Sequence, residues 1–206
     1  GVQHADRRCR LAEIQRRVDQ RIRRLEVDLQ QREHGMVFVH LRILQRAANA
    51  MTKQLGAAWS LRAKDLQIKT IDEALILASI VEKETGLSSD RRMIASVFHN
   101  RLRLQMPLQT DPTVIYGMGE KFDGNLRRVD LQTDHPWNTY MHKGLPPTPI
   151  AMPGKAALEA TLHPAASKAL YFVARGDGSS QFSENLADHN AAVDRYQRGG
   201  STPRQP

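Results

Sequence analysis

The chain has 206 residues, a mass of 23.3 kDa and a formal net charge of +8, from 30 Lys and Arg against 22 Asp and Glu. That length predicts one compact domain, with room for an appendage and a core large enough to need no staple. The single cysteine, Cys9, excludes an internal disulfide, a Cys-based zinc site and a CxxC redox pair, and no run of 18 apolar residues reads as a membrane span or signal-peptide core.

Residues 1–34 hold nine Arg against six acidic residues, and the rest of the chain 21 basic against 16 acidic. The excess permits a polyanionic partner, but it forms no compact basic motif, so nucleic-acid binding is not expected. Leu11, Ile14, Val18, Ile22, Leu25 and Leu29 recur in steps of three and four, one narrow apolar stripe on a predicted helix. Residues 1–40 read as an Arg-rich helical leader, of which residues 1–34 are expected to add little to the fold or catalysis of the rest.

From about Val37 to Arg103 the pattern is helical. Leu41, Leu44, Ala48, Met51 and Leu55 are periodic, and Gly56 is expected to stop that helix. Thr70-Ile-Asp-Glu73 reads as a capping box opening a helix over Ile71–Thr85, with Gly86 as its stop. A further helix is expected over Asp90–Arg103. Pro107 to Pro164 then holds eight of the ten prolines and four of the eleven aromatics, Tyr116, Phe122, Trp137 and Tyr140. It predicts a long ordered loop region suited to a binding groove. A short helix over Lys155–Leu162, a buried strand Leu170–Ala174, a turn at Arg175–Gly178, a second strand around Phe182 and a last helix near Leu186–Arg198 complete an α+β fold, with residues 199–206 as a disordered tail.

On a helical wheel Leu77, Ile80 and Val81 cluster, and Glu84 falls in the middle of that cluster, whereas Glu82 falls on the opposite side. A carboxyl at the end of an apolar stripe is desolvated, and its pKa rises towards neutrality. That is what a general acid needs to keep its proton near pH 7. Spacing alone leaves open the alternative that Glu84 is solvated beside Lys83. The eight histidines show no HxH or HxxxH spacing, so no metal site is expected. GxSxG, a P-loop and GxGxxG are absent. Asp111, ahead of Pro112, reads as a turn former or a second carboxylate.

Ala78-Ser-Ile-Val-Glu-Lys-Glu-Thr85 resembles the catalytic motif of the MltG-type (YceG-like) endolytic murein transglycosylases. Val97-Phe-His-Asn-Arg-Leu102, Leu108-Gln-Thr-Asp-Pro-Thr-Val-Ile-Tyr-Gly117, Asn138-Thr-Tyr140 and Gly144-Leu-Pro-Pro-Thr-Pro-Ile150 continue the resemblance in order. Pro153-Gly154, His163-Pro-Ala165, Leu170-Tyr-Phe-Val-Ala174 and His189-Asn190 follow, so that it spans about Leu41 to Tyr196, within a domain expected over residues 41–198. In such families the catalytic Glu ends a helix and precedes Ser or Thr, which selects Glu84.

The resemblance implies a lyase that cleaves between N-acetylmuramic acid and N-acetylglucosamine inside peptidoglycan strands and leaves 1,6-anhydromuramic ends. It implies no cofactor. Glu84 would be the acid and base; Gln109, Thr110, Asn138 and Tyr140 would hold sugar hydroxyls and N-acetyl groups, and Tyr116 would supply a stacking face. Glycan strands are the implied partner, with wall synthases as further partners at the periplasmic face of the inner membrane. A non-catalytic peptidoglycan-binding module is the alternative, as is a hydrolase with Asp111 as partner carboxylate. The resemblance also marks departures. Family members carry a transmembrane helix and a LysM-like domain that residues 1–40 do not resemble, so a fragment, a truncated product or a misassigned start is expected. Trp137 replaces the usual Tyr before Asn-Thr-Tyr, and Ser180 stands where His is frequent.

Overall fold

A computed structural model of the chain describes residues 35–85 and 87–199. The stripe over Leu11–Leu29, the Gly86 stop and the tail beyond Gly199 lie outside the described residues. The chain divides into two compact units, one ending at Leu61 and the other beginning at Arg62.

The first unit contains α1 (Gly35–Ser60). This helix runs through Gly56, where the sequence predicted its end. A glycine inside a helix costs only about 1 kcal/mol against alanine, and Leu55 and Trp59 on either side are buried.

The second unit is built around α2 (Ile71–Glu84). Its start is the expected capping box: Glu73 N–H donates to Thr70 Oγ1 at 3.1 Å, and Thr70 N–H donates to Glu73 Oε2 at 3.1 Å. Thr85 leaves the helix in extended conformation, so Glu84 is the last helical residue. Ala74, Leu77, Ala78, Ile80 and Val81 are fully enclosed. Helices α3 (Arg91–Arg103), α4 (Asp111–Met118) and α6 (Lys155–Leu162) pack on α2. Ser79 is buried as well, because α2 is surrounded in its second half.

The proline-rich stretch is not loop alone. It contains α4, a 3₁₀ turn (Gly119–Lys121) and α5 (Arg128–Gln132). Asp111-Pro112 opens a helix where the sequence suggested a turn: proline lacks an N–H that the first helical turn would leave unpaired anyway. Serine and asparagine side chains tie the connecting loops down. Ile150 N–H donates to Ser79 Oγ at 3.0 Å, joining the Pro-Pro-Thr-Pro segment to α2.

The sheet is a hairpin of β1 (Tyr171–Ala174) and β2 (Ser180–Ser183), antiparallel, with Phe172 opposite Phe182. Only Val173 of β1 is buried, so this strand is less enclosed than its apolar sequence suggests. Gly176 and Gly178, at φ of 89° and 90°, make the turn. The hairpin packs on α3 and on α7 (Leu186–Tyr196), and Phe98 meets Phe172 edge-on at 6.2 Å. Ser180 N–H donates to Asp90 Oδ2 at 2.7 Å, which fixes the end of the hairpin to the start of α3. The architecture is α+β, as expected.

Candidate active site

The site forms where the C-terminal end of α2 meets the N-terminal end of α4. Glu84 is half-buried, and the Thr110 hydroxyl donates to its Oε1. Burial of the carboxyl pushes its pKa up to about 7; the Thr110 bond opposes the rise, the charge of Asp111 adds to it, and the guanidinium of Arg101 opposes it. Desolvation wins, because two stabilising partners still leave the acid near neutrality. Glu82, two residues earlier, does something else: its Oε2 accepts the Gly154 N–H at 2.9 Å at the start of α6. It is a brace at a helix N-terminus rather than a solvated surface charge.

Thr110 is held tightly. It is 2% exposed, its N–H donates to Thr139 Oγ1 at 3.1 Å, and its carbonyl accepts the Thr113 hydroxyl at 2.7 Å. Gln109 N–H donates to the Thr139 carbonyl at 3.0 Å, and Gln109 has φ of 52°, an uncommon value for a non-glycine residue. That turn is held from the other side by Arg101, 7% exposed, whose Nη1 donates to the Leu108 carbonyl at 3.0 Å and to Gln109 Oε1 at 3.1 Å. Arg101 Nε donates to the Leu170 carbonyl at 2.7 Å, and its guanidinium lies over the Tyr171 ring at 5.1 Å. One arginine therefore fixes the hairpin start and the segment that carries Thr110.

Its neighbours in the His-Asn-Arg run act similarly. His99 Nε2 pairs with the Thr161 carbonyl at 2.9 Å, and its Nδ1 accepts the Gln67 N–H at 3.3 Å. Burial lowers the pKa of His99 and so favours the neutral ring, whose one proton then sits on Nε2. Asn100 Nδ2 donates to the carbonyls of Ser167 at 2.8 Å and Ala169 at 2.9 Å. The run is a set of carbonyl clamps, which its sequence did not announce.

The loop residues expected to contact sugar divide into two groups. Asn138 is 0% exposed. Its Nδ2 donates to the carbonyls of Leu131 at 3.1 Å and Thr133 at 2.7 Å, and its Oδ1 accepts the Tyr140 N–H at 3.0 Å. With its hydrogen-bonding capacity occupied inside the protein, Asn138 shapes the loop instead of facing a sugar. Thr110 is likewise turned to Glu84. Gln109 and Tyr116 are exposed, the latter at 45%. Tyr116 forms a tilted pair with Trp137 at 5.7 Å, and Trp137 Nε1 donates to Thr148 Oγ1 at 3.0 Å. Tyr140 donates its hydroxyl to Asp111 Oδ1 at 2.5 Å. Burial first, then that bond and the charges of Asp111 and Glu84, raise the phenol pKa and keep it protonated. Among the described residues, no group of three or more His, Cys, Asp or Glu could hold a metal ion.

This arrangement sits within a stretch of close similarity to known proteins. Endolytic murein transglycosylases of Bacillus subtilis (strain 168) and Streptococcus pneumoniae (D39) are 46% identical over 127 residues and 37% identical over 151 residues. These matches cover 62% and 70% of this chain but 35% and 27% of the relatives, so the chain spans about a third of their length or less. A crystal structure of a YceG-like protein from Listeria monocytogenes superimposes with a TM-score of 0.64 at 39% identity, over 73% of this chain and 48% of the other. The family model described as YceG-like family matches residues 39–195, which include α2 with Glu84, the Arg101 clamp, the Thr110 segment and the hairpin; the chain belongs to the YceG-like family.

Proposed function

We propose that residues 41–198 form the catalytic domain of an endolytic murein transglycosylase, with Glu84 as its acid and base. One observation carries this reading: Glu84 is a helix-terminal carboxyl that burial holds near pKa 7 while a single hydroxyl orients it. The curated relatives bear that activity in their names.

A carboxyl poised there is half protonated at neutral pH, and it can give and take a proton in one cycle. Oε1 is occupied by Thr110, which leaves Oε2 to face the glycosidic oxygen. Glu84 protonates that oxygen as the bond to muramic acid C1 breaks. The carboxylate then takes the proton of the same sugar's C6 hydroxyl, whose oxygen closes on C1 as the 1,6-anhydro ring. Proton count is restored without water, and Thr110 stabilises the carboxylate stage.

Glycan strands of peptidoglycan are the substrate in this reading, and the cell envelope is the place of action. Wall synthases at the periplasmic face of the inner membrane are the further partners that the family suggests. No helix among the described residues is long and apolar enough to cross a membrane. Exposed Gln109 and Tyr116, with the half-buried Trp137 beside Tyr116, are the groups left to meet sugar.

The test is product analysis after incubation of the chain with purified peptidoglycan. Anhydromuramic ends support the proposal. Reducing ends indicate a hydrolase, and bound but uncleaved glycan a binding module.

A further inference from the structure

Four groups from three elements and a loop share one small volume. Glu84 ends α2, Arg101 lies on α3, Asp111 opens α4, and Tyr140 belongs to the loop after α5. Each of Glu84 and Tyr140 feels the charge of Asp111, and Arg101 feels Glu84 and Tyr140. Asp111 is exposed, and among the described residues one of its oxygens is engaged: Oδ1 accepts the Tyr140 hydroxyl at 2.5 Å. The backbone around it is fixed, because Thr110 immediately before it is tied to Thr139, Thr113 and Glu84.

We propose that Asp111, oriented by the Tyr140 hydroxyl, is a second catalytic carboxylate that faces the positive charge developing at the sugar's anomeric carbon. This rests on the transglycosylase reading of Glu84 and adds the electrostatic partner that the reading lacks. Breaking a glycosidic bond leaves the ring carbon and ring oxygen sharing a positive charge. The site already holds the cation of Arg101, buried and unable to move. A second positive charge beside it is unfavourable unless each of the two cations has a carboxylate to offset it. Before proton transfer, Asp111 and Arg101 balance with Glu84 neutral. After it, the sugar cation and the Glu84 carboxylate balance as well. Remove Asp111 and the site carries one excess positive charge throughout. Tyr140 matters because a carboxylate held by a phenol on one oxygen keeps the other at a fixed angle, so little reorganisation is needed as charge develops. No bond to Asp111 forms: it neither takes a proton nor attacks C1, so the anhydro product is unchanged.

The experiment measures kcat, KM, product ends and the pH–rate profile of the full chain on isolated glycan strands, for the wild type, Asp111→Asn, Tyr140→Phe and the double variant. Asp111→Asn is expected to lower kcat by about 10²-fold, the scale for one preorganised electrostatic group, with KM within a few-fold and anhydromuramic ends retained. Its alkaline limb is expected at lower pH, because Glu84 loses the like charge that helps it keep its proton. The groups facing Glu84 are Arg101, Asp111, Thr110 and, by charge, Tyr140; only Asp111 is altered in that variant. Tyr140→Phe is expected to cost less, about tenfold, and the double variant no more than Asp111→Asn alone, as for residues acting as a unit.

A folded Asp111→Asn with wild-type kcat, or with an unmoved alkaline limb, overturns the proposal. So does additive loss in the double variant. If instead the wild type yields reducing ends, or Glu84→Gln cleaves normally, the transglycosylase reading itself fails, and the two failures are told apart by the wild-type product.

Discussion

The Thr110 hydroxyl donates to Glu84 Oε1, joining the last residue of α2 to the residue just ahead of α4. This bond favours the charged form of Glu84, and burial favours the neutral form by more. Thr110→Val removes the donor while keeping the volume. The pKa of Glu84 should then rise further above 7, and the alkaline limb of the rate profile should move to higher pH. At its plateau the rate should fall by about tenfold, since the carboxylate formed in the cycle loses a hydrogen bond of roughly 1.5 kcal/mol or more. A pH–rate profile of the variant checks both effects. An unmoved limb would mean that the bond does not govern the acid.

Glu84→Gln retains shape and removes the transferable proton. Turnover should drop by at least about 10²-fold. Stability should move the other way. The pKa is about 4.5 in the unfolded chain and about 7 when folded. Below pH 4.5 both states are protonated and the group costs nothing. Between 4.5 and 7 the unfolded chain loses its proton first, so wild-type stability declines over that window. The loss is complete above it and amounts to a few kcal/mol at most. Glu84→Gln lacks this penalty, so its denaturation midpoint should exceed that of the wild type at pH 8 and match it near pH 4. Denaturant melts at the two pH values measure this, and equal differences at both would show that the carboxyl is not desolvated.

Glu82→Ala is the companion experiment. It removes the acceptor of the Gly154 N–H at the start of α6. The expected cost is about 1 kcal/mol, as for a lost helix cap, with turnover within a few-fold of wild type. Glu82→Gln keeps an acceptor and should cost less. Abolished turnover in a folded Glu82 variant would place the chemistry at the wrong carboxylate.

Asn138→Ala should act on the fold. Three carbonyl and N–H partners lose their bonds in a site with no solvent access. The cost should be about 2–3 kcal/mol, the range for leaving buried polar groups unpaired. Chemical denaturation should show the shift. A variant of wild-type stability with weakened glycan affinity would restore Asn138 as a sugar contact.

Much of the scaffold was legible because it is local. Thr70 and Glu73 sit at capping-box spacing, and α2 begins there. The hairpin follows from an apolar strand, a Gly-rich turn and a second strand around Phe182. Two misreadings have local causes too. Gly56 resembles a helix stop, yet burial on both sides carries α1 past it. Asp111-Pro112 suits a turn and a helix start equally, and only the packing of α4 on α2 chose between them.

Leu77, Ile80, Val81 and Glu84 lie within one helix, so the sequence by itself determined that an acid stands in line with an apolar stripe, and burial of its carboxyl was left to the packing. What surrounds that acid, Arg101, Thr110 and Asp111, comes from outside its own helix, and only the tertiary structure decided it. Thr110 could hold a sugar, a backbone group or a carboxyl; Asn138 could face outward or inward; Asp111 could sit anywhere along a loop. Their side chains have short reach and several possible partners. The Arg101 clamp and the Thr139 bonds place the Thr110 segment, and the Leu131 and Thr133 carbonyls turn Asn138 inward.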